Sequence, residues 1–126
     1  MSVGFLTNGG TGQTLAEAWN GTTWDIHPSP NPAGSSGAAL QGVSCPSASA
    51  CTAVGFSSTG SSGIPTSTLA EFWNGTQWSL QSTPNPAGAK ISGLSGVACT
   101  ASETCMAVGD FWNGTITQTL VETHAG

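Results

Sequence analysis

Three glutamates recur in the same phrase, as Thr14-Leu-Ala-Glu17, Thr68-Leu-Ala-Glu71 and Thr119-Leu-Val-Glu122. Carboxyls can hydrolyse a glycosidic bond when two of them stand about 5 to 9 Å apart across a sugar, so the first question is whether the fold lets these meet. The two histidines, His27 and His124, occupy non-equivalent places and have no Ser or Cys nucleophile beside them in a recognisable motif. Sialidase-like chemistry would want an arginine cluster and a tyrosine, and a copper-radical oxidase would want tyrosine ligands. The chain has one basic residue, Lys90, and no tyrosine. No catalytic residue, metal site or cofactor is therefore expected.

Four cysteines fall as Cys45 and Cys51, then Cys99 and Cys105, with five residues inside each pair. Pairing within each unit would close a short loop across a hairpin, a gain of about 2 kcal/mol in loop-closure entropy. This usage points to an oxidising compartment. A zinc site built from all four thiolates is the weaker reading, because structural zinc prefers two to four residues between ligands. Five tryptophans, Trp19, Trp24, Trp73, Trp78 and Trp112, supply broad amphipathic rings that pack between sheets or stack on sugars. With Glu17 and Glu71 they are the candidate ligand-binding residues.

The element that must position all of these is a hairpin. Thr68 to Trp73 is rich in β-formers, Asn74-Gly75 suits a tight type I′ turn, and Gln77 to Gln81 reads as the returning strand. Thr14 to Trp24 repeats the phrase, and Thr119 to Gly126 echoes it. Trp24 and Trp78, Pro30 and Pro84, Cys45 and Cys99, and Gly55 and Gly109 are all 54 residues apart. Each period holds four strands, seen best as Leu40–Cys45, Cys51–Phe56, Thr68–Trp73 and Gln77–Gln81, with a turn at Pro46 to Ser49. The segment Ser82 to Gly88 has two prolines and cannot continue a ladder, so it links one unit to the next. Asn20, Asn74 and Asn113 each stand in Asn-Gly-Thr, formally a glycosylation sequon but explained by turn chemistry alone.

A period near 50 made wholly of short strands predicts an all-β fold of four-stranded antiparallel β-propeller blades. About two and a half blades are expected from the repeat count: an incomplete blade at 1–32, a full one at 33–86 and an incomplete one at 87–126. Equivalent glutamates on successive blades turn about the propeller axis, so they are not expected to converge on a sugar; each is expected to satisfy backbone or hydroxyl donors near its turn. Missing strands at both ends leave apolar faces and open edges, so the chain is expected to be cut from a longer propeller or to associate with copies of itself into a ring or filament. The Gly/Ser loops at Asn8–Thr11 and Ser57–Pro65 differ most between repeats, where ligand choice would be made.

The order Gly-Val-x-Cys, Ala-Val-Gly, Glu-x-Trp-Asn-Gly and Trp resembles kelch-type and galactose-oxidase-type propeller blades. It is similar also to the Trp-Asn-Gly-Thr-x-Trp repeats of large secreted bacterial proteins predicted to be β-propellers. Single Gly55 and Gly109 replace the double glycine usual in kelch repeats, and the paired cysteines are additional. The resemblance implies an architecture that serves lectins, enzymes and scaffolds alike.

Net charge of −5 with a single lysine excludes the basic patch that nucleic acid or an anionic membrane surface would need. No apolar stretch approaches the length of a membrane span, and no export signal precedes the repeats. The expectation is a non-enzymatic extracellular or cell-surface recognition module, carbohydrate-binding and lectin-like, that works as a self-assembled propeller. The alternative is a purely structural self-associating fragment.

Overall fold

The computed structural model describes residues 1–59 and 64–125, so the middle of the longest Gly/Ser loop and the final glycine lie outside the described residues. Ten strands follow in order: β1 Ser2–Asn8, β2 Thr11–Trp19, β3 Trp24–His27, β4 Gly37–Ser47, β5 Ala50–Ser58, β6 Pro65–Trp73, β7 Trp78–Gln81, β8 Ile91–Ala101, β9 Thr104–Trp112 and β10 Thr117–Ala125. Among the described residues there is no helix. Two antiparallel meanders, β1-β2-β3 and β4-β5-β6-β7, share one parallel bridge between Gly12 and Gly37 and so form a seven-stranded sheet. A third meander, β8-β9-β10, is a separate sheet, and neither sheet closes on itself.

The meanders pack face to face. Because side chains alternate along a strand, β5 and β6 send Ala53 and Leu69 to one side and Val54 and Ala70 to the other. On the first side these join Leu40, Cys51, Trp73 and Trp78, with Met1, Val3 and Ala16 of the first meander opposite. On the second side they meet Leu94, Ala107, Val97 and Leu120 of the third meander. β5 is buried along almost its whole length as a result.

Two local readings need correction. The Asn-Gly turns are not type I′: among the described residues no non-glycine has positive φ, so within these turns Gly21, Gly75 and Gly114 have it and the asparagines do not. Each is a four-residue loop in which the Asn side chain replaces the second left-handed residue. Asn74 Oδ1 accepts the amides of Thr76 and Gln77 at 2.9 and 3.0 Å, and Asn20 and Asn113 do the same for theirs. Pro46 lies inside β4 rather than in a turn, at a register break between Ser44 and Ser47 where no ladder donor is required. The Asn113 loop joins the second and third strands of its meander, where the repeat register puts it, whereas the Asn20 and Asn74 loops join the third and fourth strands of the repeat.

The links are latches as well as connections. Thr68, which starts the buried part of β6, donates its amide to Asn85 Oδ1 at 2.9 Å and shares a 2.7 Å hydroxyl contact with Thr83. Thr14 repeats both contacts with Asn31 and Ser29. Each link then turns through a glycine at positive φ, Gly34 or Gly88, with Ser35 and Ala89 donating back to Pro32 and Pro86, the geometry of a type II turn.

Gly55 and Gly109 answer a tight approach. Both stand opposite a bulge in the preceding strand, after Leu40 and Leu94, and a Cβ there would collide with the carbonyl oxygen of Ala39 or Gly93. Gly4 holds the same position in β1, has no strand on that side, and meets nothing within 4 Å. Gly55→Ala should therefore cost about 3 kcal/mol of unfolding free energy by overpacking, and Gly4→Ala less than about 0.5 kcal/mol. Urea denaturation of the two variants beside the parent checks this; equal losses would contradict it.

Candidate functional site

The cysteines pair within each unit, Cys45 with Cys51 and Cys99 with Cys105, and no described cysteine is free. Each bridge ties the first two strands of its meander beside their hairpin, at Cα separations of 4.1 Å. Two disulfides are compatible with an extracellular location.

The tryptophans divide by environment. Trp73 and Trp78 face each other across the end of the β6–β7 hairpin, ring centroids 5.8 Å apart, and are only 6% and 5% exposed. The His27 imidazole of the first meander meets Trp73 edge-on at 4.9 Å. Trp19 and Trp24 make the same cross-strand pair in the first meander at 5.7 Å, yet each is 52% exposed because no sheet covers that face. Trp112 is not the counterpart of any of them. It ends β9, opposite Ile91 and Thr117, away from the paired rings.

The glutamates lie on the same face of their strands as these rings. Glu17 is half-buried on the uncovered face of the first meander. Glu71 is fully buried, and neither carboxyl oxygen has a hydrogen-bond partner, so the expected satisfaction by nearby donors does not occur. Packing of the first meander over the second explains this: the apolar face of Met1, Val3 and Ala16 is set against the row that carries Glu71. Burial pushes the Glu71 carboxyl up to about 8 and raises that of Glu122, whose Oε1 is also buried without a partner.

Between the second and third meanders a cleft opens. Thr52, Val54, Ala70 and the run Gln81, Ser82, Thr83 and Pro84 line one wall; Leu94, Val97, Cys105, Ala107, Glu122, Thr123 and His124 line the other. Among the described residues, no group of three or more His, Cys, Asp and Glu is placed to hold a metal ion. Sequence reading passed over the latch residues Asn31 and Asn85 and the cleft-lining Gln81 and Thr83. The signal was the near-identical Ser-Pro-Asn-Pro-Ala-Gly and Thr-Pro-Asn-Pro-Ala-Gly, read only as a break in pairing.

No protein-family model matches the chain, and no curated protein or solved structure is significantly similar to it.

Glu71 gives the fold a pH dependence of definite sign. The folded chain keeps the proton up to about pH 8, whereas the unfolded chain releases it near the ordinary 4.5. Stability from this group is full below the unfolded value and is lost as pH rises through the window to about 8. Melting temperature should fall between pH 5 and pH 8, by an amount corresponding to on the order of a few kcal/mol, and Glu71→Gln should flatten that slope. Calorimetry across the window checks both; a parent profile no steeper than that of Glu71→Gln would refute the assignment.

Proposed function

We propose that this chain is a non-enzymatic extracellular module of propeller-type blades whose task is to assemble with further copies of itself, head to tail. One observation carries the reading: the middle meander is covered on both faces, and each end of the stack presents the half of that interface the other end lacks. One end exposes Trp19, Trp24 and Ile26, at 52, 52 and 66%. These repeat Trp73, Trp78 and Leu80 of the second meander, whose two rings are buried beneath Met1, Val3 and Ala16. The opposite end exposes Met106, Val108 and Val121, at 53, 48 and 57%. By strand register these three stand where Met1, Val3 and Ala16 stand in the first meander. A second copy can therefore lay its tryptophan face on that methionine and valine face as the second meander lies on the first. Such a contact is heterologous, giving a ring if the rotation closes and a filament if it does not. Apolar faces of this kind favour association over exposure to water.

Carbohydrate recognition is the second reading, favoured by the open Trp19 and Trp24 rings, whose 53° tilt leaves both with accessible surface. Trp73 and Trp78 are closed to a sugar in this chain. The two readings compete for one surface, since a glycan stacked on Trp19 and Trp24 would block the next copy.

Sedimentation of the parent should show concentration-dependent species larger than the monomer. Trp24→Asp and Val121→Asp should each weaken association at least about tenfold, equivalent to 1.4 kcal/mol, while keeping the β circular-dichroism signal. Mixing the two variants should restore a one-to-one dimer and nothing larger, because each retains one competent face. A parent that stays monomeric at all concentrations overturns the assembly reading. A glycan array that lights up with the parent and goes dark with Trp24→Asp would favour recognition.

A further inference from the structure

The joint between the second and third meanders repeats the joint between the first and second with both indoles absent: His124 stands where Trp73 stands, and among the described residues no strand stands where β7 carries Trp78. Leu94, Cys105 and Ala107 stand where Leu40, Cys51 and Ala53 stand. Across the joint, Val54 and Ala70 replace Val3 and Ala16. In the first joint the remaining space is filled by Trp73 and by Trp78, the latter carried there by β7, which is hydrogen-bonded along the outer edge of β6. In the second joint the counterpart of β6 is β10, and β10 is the edge of its sheet. The cleft described above lies where the indole would sit, beside Glu122 and His124.

We infer that the outer edge of β10 and this cleft together form a binding site for an extended strand of the type Trp78-Ser-Leu-Gln81, supplied by a second chain, which pairs antiparallel with β10 and seats its indole in the cleft. This goes beyond the assembly reading: in a folded copy of this chain β7 is already paired with β6 and Trp78 is buried, so the strand comes from an extended segment of a partner chain that is not held in a sheet of its own. Main-chain pairing to an open edge supplies affinity, and a pocket for an alternate side chain supplies specificity. The β6–β7 register, Trp73 opposite Trp78 and Glu71 opposite Leu80, sets the incoming tryptophan opposite His124 and the leucine opposite Glu122. The cleft suits this ligand: its floor is apolar, from Val54, Leu94 and Ala107, and its rim is polar, which matches an indole with one N–H. The residue that receives the link in the second meander, Thr68, is repeated as Thr119, which stands exposed in β10. The preferred segment therefore runs on through a Thr-Pro-Asn.

The test titrates a fluorescein-labelled synthetic peptide with the sequence of residues 76–86 into the whole 126-residue chain, reading anisotropy and the imidazole proton resonances of the two histidines. Expected are saturable binding, at least about tenfold weaker binding by the peptide carrying Trp78→Ala, and movement of the His124 resonances without those of His27. Absence of saturable binding, equal binding by the Trp78→Ala peptide, or movement of His27 alone would overturn the proposal. So would free indole that shifts His124 at the same concentrations as the peptide, since the strand would then contribute nothing. Val121 points to the opposite face of β10, so Val121→Asp should bind the peptide as the parent does. Loss of face-to-face assembly and loss of strand capture therefore fail separately.

Discussion

A sheet with two apolar faces cannot be satisfied by one neighbour, and this constraint governs the whole chain. The middle meander shows the satisfied state. β5 is buried almost throughout, and its alternate residues enter two separate cores. The outer meanders have the same alternation but only one neighbour each, so half of their apolar residues face water. Stability is graded in consequence: the second meander holds the structure together, and the other two lean on it. Hydrophobic burial is non-directional, but the repeat gives it direction here, because the tryptophan side of one unit always meets the aliphatic side of the one before.

Within a meander the first hairpin is held by more than burial. A disulfide closes it at one end, a bulge in its first strand bends that strand toward its partner, and a glycine accepts the close approach. In the opening meander, where no strand pairs with that edge of β1, the corresponding Gly4 has empty space around it. The buried Glu71 runs against the rest of this logic. An unpartnered carboxyl between two sheets stays neutral at the expense of its ordinary acidity, and its counterparts Glu17 and Glu122 become more solvated as the covering sheet or strand is lost.

The repeat made the strands legible. Thr68–Trp73 and Cys51–Phe56 fall inside β6 and β5, and the cysteine spacing led to the bridges that form. What the residues did not disclose were facts of packing and of geometry beyond one residue's reach. Asn74 looked like a left-handed turn residue because Asn-Gly often is; its side chain instead takes the two amides that such a turn would have dealt with by backbone. Pro46 looked like the opening residue of a turn, but a bulge within the strand asks nothing of its missing amide. Trp112 shares the Trp-Asn-Gly-Thr phrase with Trp19 and Trp73, yet its loop sits at the other end of the sheet, since the phrase encodes a loop rather than a place in the fold. Glu71 looked like a carboxylate satisfied by donors near its turn, because no sequence shows which face a neighbouring sheet will cover.

The two joints between meanders are pinned differently. Asn85 Oδ1 takes the amide of Thr68 and also the hydroxyl of Ser92 at 2.9 Å, so one side chain fastens β6 to the first strand of the following meander. At the other joint Asn31 holds Thr14, but the counterpart of Ser92 is Ala38, which has no hydroxyl to offer. That first joint is fastened by main chain instead, through the parallel bridge of Gly12 with Gly37. In any long array of these units, a change at Asn85 or Ser92 would slacken one kind of joint and leave the other kind's fastening in place.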